Sequence, residues 1–367
     1  MGMSTSAPRR NGGLRALALG IVLCTAAASC ARAEQPSTAD SRADTETETS
    51  VVASTVDEPT TTTAPTTVAP EPAFSVRDVD ADFEGVLVGV STGLSKAERA
   101  PRFRQLEVDA GRQFDIGHVF HAWDMAIPTV DDLMHLEDGR MLMISWNGTD
   151  TREIQNGVHD EWIRTQAEAV RDLETPLLLR WLWEMDGRRR TEWVHSPEDF
   201  VGAWRHVREI FDQVGADNAL FVWCPNEHLF WDDGDPEPWY PGDAEVDWLC
   251  ADGYNWGDSV DAPEWVTIDH IFGDFIAWAA PRDKPIIIGE VGSNEAADDP
   301  SGKAAWLDGV PTLLRDELPE IDAFVYFDKD FRDWGQPDWR LDTTAESYDA
   351  WNRMVNDPWM NPLAELD

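Results

Sequence analysis

Two glutamates stand where apolar runs stop. Glu184 closes the run LLRWLWE (178–184), and Glu290 closes KPIIIGE (284–290). Burying a carboxylate without a partner costs several kcal/mol, so a chain that mounts one on so apolar a strand invites a reason. A single glutamate at a strand end is usually just solvated there. Two of them make a pair that can do chemistry: one carboxylic acid protonates a leaving glycosidic oxygen, while one carboxylate attacks or activates water. On that reading the apolar residues are the rigid mount that aims each carboxyl group. Other chemistries lack their signatures. The sequence contains no C-x-x-C pair, no H-E-x-x-H and no phosphate-cradling glycine motif, so no metal and no cofactor is expected. His118 and His121 lie three apart on a strand-like run and point to opposite faces, so no metal pair is expected there.

The elements that must position the pair are legible as eight short apolar runs: Val86–Val90, Ile116–Phe120, Met141–Ser145, Leu177–Leu182, Leu220–Trp223, Val246–Ala251, Ile286–Gly289 and Ala323–Phe327. Amphipathic stretches separate them, such as His159–Leu173 and Pro197–Val214. The second of these has Ser196 as N-cap, Pro197 in its first turn and Gly215 as C-cap. Strands alternating with helices predict a parallel α/β architecture, and eight of them at this length predict a (β/α)8 barrel, with a doubly wound sheet as the alternative. Barrel sites sit at the C-terminal strand ends. Glu184 after strand four and Glu290 after strand seven would then face each other across the mouth, about 5–5.5 Å apart in an enzyme that retains anomeric configuration. Polar or aromatic residues at the ends of runs become candidate sugar contacts: His121, Trp146, Trp183, Asn226 and Trp334.

The ends of the chain differ from this domain. Residues 1–30 carry Arg9, Arg10 and Arg15, then the apolar run Ala16–Ala28, too short to span a bilayer, and read as an export signal. AASC (27–30) is similar to a bacterial lipobox, which would lipidate Cys30 and tether the protein to a membrane; ARA (31–33) offers ordinary cleavage instead. Either route predicts an extracellular or cell-surface protein. Residues 31–73, rich in Thr, Pro, Ala, Ser and Glu, predict a disordered linker. Residues 74–367 make one domain, expected to be monomeric, that carries nearly all of the net charge of −41. So acidic a surface repels nucleic acid. All 19 tryptophans fall in the domain, several among polar residues where turns are expected, including Trp193, Trp231, Trp239 and Trp256. Flat aromatic faces in polar clefts are what sugar rings stack against. Cys224 and Cys250 lie on separate predicted strands, as a disulfide or as two buried thiols.

LRWLWEMDG (179–187) resembles the acid/base segment of glycoside hydrolase family 26, whose members are mainly β-mannanases with some β-glucanases and xylanases. The stretch 196–226 resembles that family's next helix and fifth strand. WYPGDAEVDWLCADGYNW (239–256) and KPIIIGEVGS (284–293) resemble its sixth strand and its nucleophile strand, and the likeness is strongest over 175–335. The resemblance implies a retaining (β/α)8-barrel endo-β-glycanase acting on a polysaccharide, β-1,4-mannan first. It also implies Glu184 as acid/base, Glu290 as nucleophile, Arg180 as a substrate-site arginine, and Asp252 and Tyr254 as the polar pair beside the nucleophile. Trp183 and Asp186 depart from the family's usual His and Asn, and Arg188-Arg189-Arg190 replaces cleft-lining residues. Those arginines either form a solvated loop paired to Asp186 and Glu192 or meet an acidic glycan. These departures leave β-glucan, xylan, an acidic exopolysaccharide, an exo mode, or a catalytically silent glycan-binding lipoprotein as alternatives.

Overall fold

Each apolar run becomes one strand of a closed barrel. The computed structural model describes residues 84–93, 96–257, 265–296, 299 and 301–365; the side chains of Lys96, Ala97, Arg189, Trp334 and Glu365 are not among what it describes, and Cys30, the export signal and the linker to residue 73 lie outside it. The strands are β1 (Leu87–Ser91), β2 (Ile116–His121), β3 (Met141–Trp146), β4 (Leu177–Trp181), β5 (Ala219–Trp223), β6 (Trp248–Asn255), β7 (Ile286–Ser293) and β8 (Ala323–Phe327). They pair in parallel in chain order, and β8 closes onto β1 through Leu87–Ala323 to Ser91–Phe327. With helices between the strands, this is the (β/α)8 barrel that the run pattern predicts.

Alternation along each strand sorts side chains into two cores. Leu87, Ile116, Met141, Met143, Leu178, Val222, Ile287 and Val325 fill the lumen. Their neighbours Val88, Leu142, Ile144, Leu179, Phe221, Ile288 and Phe324 face the helical layer. Helix 197–214 shows how that layer is fixed. Ser196 Oγ accepts a hydrogen bond from the backbone N–H of Asp199, Pro197 opens the first turn, and Gly215 closes it at φ 72°. Its buried stripe, Phe200, Ala203, Trp204, Val207, Ile210 and Phe211, packs onto the sheet.

Three local features depart from regular strand geometry, and all lie at the C-terminal mouth. Cys224 and Cys250 form a disulfide that ties the end of β5 to β6. Between β6 and β7 the register slips: Ala251 faces Ile288, but Asp252 faces Glu290, so Gly289 is an extra, bulged residue. A bulge re-aims a side chain, and here Glu290 turns into the lumen while Val291 returns to the outer core. Finally, Leu182 and Glu184 adopt left-handed φ angles of 47° and 50°. Such a conformation costs a non-glycine residue ~1–3 kcal/mol and persists only where the surroundings impose it. Here they do: the N–H of Leu182 donates to Trp146 O at 2.9 Å and that of Glu184 to Cys224 O at 2.8 Å.

Gly289 has no room for a side chain. A Cβ there would lie 2.4 Å from Cys250 Sγ, 2.8 Å from Asp252 Oδ1 and 3.0 Å from Arg180 Nη1. Gly289→Ala must therefore push against a disulfide and a buried ion pair, and we expect it to destabilise the fold by about 1–3 kcal/mol and to disable the site. Urea unfolding checks the first expectation. A variant as stable as the parent would show that the bulge can relax.

Candidate active site

Arg180 is the centre of the mouth. Lumen parity places it inward from β4, fully buried, where an unpaired guanidinium would be untenable. Every arm of it is occupied. Nε donates to Ser145 Oγ at 2.6 Å, Nη1 donates to both oxygens of Asp252 at 2.6 Å, and Nη2 donates to Glu290 Oε1. Ser145, having accepted from Arg180, has its own proton to give to His118 Nε2 at 2.7 Å. That direction fits a neutral imidazole, and burial together with the charge of Arg180 holds His118 well below the usual histidine range.

Glu290 receives a second donor, the Tyr254 hydroxyl, at 2.6 Å on Oε2. Burial, reinforced by the negative charges of Glu290 and Asp252, pushes the Tyr254 phenol well above its ordinary range, so it remains a donor. Both oxygens of Glu290 thus accept hydrogen bonds, an arrangement suited to a carboxylate held ready to attack. Glu184 lives differently. Desolvation, then the charge of Glu290, pushes its carboxyl up to about 7, while Arg190 and Arg180 pull it partway back. Two carboxyls in one mouth with environments that separate their roles is the pattern of a proton donor beside a nucleophile. The aromatic side chains Trp183, Phe120, Phe327 and Tyr254 surround them, with successive ring centroids between 5.3 and 6.1 Å.

The structure thus brings together Glu184, Glu290, Arg180, Trp183, Asp252 and Tyr254. Asn226 joins from the loop after β5, where its side-chain Nδ2 and backbone N–H both donate to Asp186 Oδ1 at 3.1 Å. Asp186 is therefore held by Asn226, not by the arginine run. Arg190 instead stacks over Trp183 at 4.6 Å and donates to Asn147 Oδ1 at 2.6 Å, so this arginine is built into the cleft wall. Two candidates do not join. Trp146 is fully buried on the outer face of β3, stacked on Trp123 at 4.6 Å. His121 points the same way from β2 and sits buried against Asp132 at 2.8 Å. Trp334 lies outside the described side chains. Ser145 and His118 were missed as site residues, though inward parity on β2 and β3 marks both. Glu227 was missed as well; burial first, then Glu184 and Asp186, pushes its carboxyl up to about 8.

Comparison with known proteins places the chain among similar sequences and folds. The sequence profile of glycosyl hydrolase family 26 matches residues 137–286. Endoglucanase H of Acetivibrio thermocellus is 28% identical over 296 residues, 76% of this chain and 31% of that protein. The β-1,3-xylanase TXYA of a Vibrio species is 25% identical over 246 residues, 59% of this chain and 51% of that one. The chain therefore spans about a third to a half of these curated relatives. Among solved structures, a family 26 β-mannanase from Bacteroides ovatus superposes with a TM-score of 0.54 at 16% identity, covering 78% of this chain and 92% of that one. The Bacillus subtilis mannanase BCman gives 0.52 at 15%, covering 78% and 89%. At such identities the solved structures speak for the fold.

The electrostatics of Glu184 predict a pH profile. A carboxyl that titrates at about 7 is protonated below that pH, so kcat/KM on a polymer should fall as pH rises through it. Arg190 lowers the pKa of Glu184 by favouring its anion. Arg190→Met removes that positive charge and should move the alkaline limb to higher pH. An alkaline limb that stays put, or moves lower, would contradict the placement of Arg190 beside Glu184.

Proposed function

We propose that the chain, which the family 26 glycosyl hydrolase profile matches over residues 137–286, is a retaining endo-β-glycanase of that family that works outside the cell. The observation that carries the reading is the unequal pair: Glu290 fixed by Arg180 and Tyr254, and Glu184 desolvated and held near neutrality. In the first step Glu290 attacks the anomeric carbon as the C–O bond to the leaving sugar breaks, and the Glu184 proton passes to that oxygen. A covalent glycosyl–Glu290 ester results. Glu184, now a carboxylate, takes a proton from water, and the water oxygen displaces Glu290 from the same carbon. Two inversions give retention. Asp252 never meets the sugar in this scheme; its role is to hold Arg180 beside Glu290.

β-1,4-mannan is the first substrate we propose, on the resemblance of 179–187 and 239–256 and on the two mannanase folds. A second reading has its own support, because the curated relatives are named endoglucanase and β-1,3-xylanase, and Trp183 with Arg190 stacked upon it reshapes the cleft wall beside the acid/base. A reducing-sugar assay over mannan, mixed-linkage glucan, β-1,3-xylan and β-1,4-xylan decides between them. Action at the cell surface through a lipidated Cys30 rests on the sequence of residues 1–33. Retention of the protein in the membrane fraction, lost in Cys30→Ala, would support it, and a mature terminus at Glu34 would overturn it.

The two glutamates should respond differently to truncation. Glu290→Ala removes the nucleophile and should abolish turnover of every substrate. Glu184→Ala should lose about 10²–10⁴-fold on polymer, the usual worth of a general acid, yet still form the glycosyl-enzyme from an aryl glycoside whose leaving group needs no proton. Azide should then rescue breakdown with retention. Glu184→Ala as inert as Glu290→Ala on the activated substrate would falsify the assignment.

A further inference from the structure

The same face of the barrel carries a second concavity, a groove of ≈ 1100 Å³ lined by residues from the segments that follow β4, β5 and β6, among them Asp186, His228, Trp231, Asp232 and, in the first turn of helix 268–279, Asp269. We propose that this groove is a distal binding site for an uncharged polysaccharide chain, with Trp231 as its stacking platform. The proposal rests on the glycanase reading and adds where a longer chain goes and which chemical class fits.

Four observations carry it. First, the groove adjoins the catalytic mouth through Asp186. Asp186 lies two residues after Glu184, contributes to raising its pKa, and lines the groove. Second, the size is right for chain segments: small-molecule pockets run to about 300–1,000 Å³, and this groove, at ≈ 1100 Å³, lies at the top of that range. Third, Trp231 is 45% exposed, and among the described tryptophan side chains no other is as exposed. Its position is fixed, because the turn that carries it is tightly wound. The N–H of Gly234 donates to Trp231 O at 2.8 Å, and a Cβ on Gly234 would lie 2.1 Å from Leu229 O. His228 meets the Trp231 ring edge-on at 6.2 Å, leaving ring surface to the groove. Fourth, one buried acceptor there is short of a donor. Asp186 Oδ1 is taken by Asn226, but Oδ2 makes no hydrogen bond, and its side chain is only 3% exposed beside His228 at 3.4 Å.

The lining also selects the ligand. Aspartates 186, 232, 233, 235, 269 and 274 line the groove, and among the described residues no lysine or arginine does. An anionic glycan would be repelled along its whole length. Neutral sugars are not: their hydroxyl groups donate to carboxylates, and their C–H faces stack on an indole, as flat apolar surfaces do. Carboxylated exopolysaccharides are therefore the wrong class for this groove.

Two measurements test the proposal. Trp231→Ala and Trp231→Phe are assayed against glucomannan, mixed-linkage β-glucan and β-1,3-xylan, and against an aryl β-glycoside of two sugars. Trp231→Ala should lose about 5–10-fold in kcat/KM on the polymer that the parent cleaves, mostly through KM, from the worth of one aromatic contact. Trp231→Phe should recover part of it, and the aryl substrate should be unaffected. Loss on both substrates alike, or on neither, overturns the distal site while leaving the hydrolase reading intact. Should the parent cleave nothing, affinity electrophoresis of Glu290→Gln protein in gels of the same three polymers still decides. Retardation that Trp231→Ala relieves, and that an alginate gel does not produce, supports the groove; equal migration in every gel overturns it.

Discussion

One buried cation organises this molecule. Arg180 has no access to solvent, and its guanidinium must be neutralised and bonded on every side by the protein itself. Breaking such an arrangement costs more than it is worth intact, because a lone charge is then left in an apolar lumen. The rest of the mouth can be read as the consequence. Asp252 and Glu290 face each other across β6 and β7 because a one-residue bulge at Gly289 turns Glu290 inward. Gly289 has no side chain because Arg180 and the Cys224–Cys250 disulfide occupy the space it would need. Ser145 and His118 complete the shell from β3 and β2. A carboxyl group held this way needs no reorganisation when charge moves, which is the largest lever an active site has.

Glu184 is positioned by a different device. It sits three residues beyond β4 on a backbone bent through two left-handed residues, each pinned by a hydrogen bond to a neighbouring strand end. That places strain beside the chemistry, where it is most often found. The result is one carboxyl bonded through both oxygens and one desolvated and left near neutrality, both delivered to a single mouth.

Much of this was legible in the sequence, and what was not has a physical cause. Eight apolar runs map onto eight strands within a few residues, since a parallel barrel buries both faces of each strand. The caps Ser196 and Gly215 stand where the sequence puts them. Glu184, Glu290, Arg180, Asp252 and Tyr254, which the resemblance singles out, lie together at one mouth, and Trp183, where the family usually has His, lies beside Arg180. Trp146 and His121 do not, and the reason is parity: Ser145 and Phe120 take the inward positions at the ends of β3 and β2, so their successors turn to the helices. The Gly289 bulge and the left-handed turns at Leu182 and Glu184 leave no mark in a hydrophobic pattern, because tertiary contacts impose them. Arg190 was ambiguous for a similar reason. A run of three arginines looks solvated until Trp183 and Asn147 are seen against its last member, Arg190.

The central claim is that Glu184 and Glu290 act in two successive displacements at one carbon. The anomeric form of the first product tests it directly. Proton NMR recorded during the first minutes of hydrolysis of a β-glycan that the protein cleaves should show the new reducing end appearing as the β-anomer, with the α-anomer growing in only as mutarotation proceeds. The α-anomer appearing first would mean a single displacement by water, and Glu290 could not be the nucleophile.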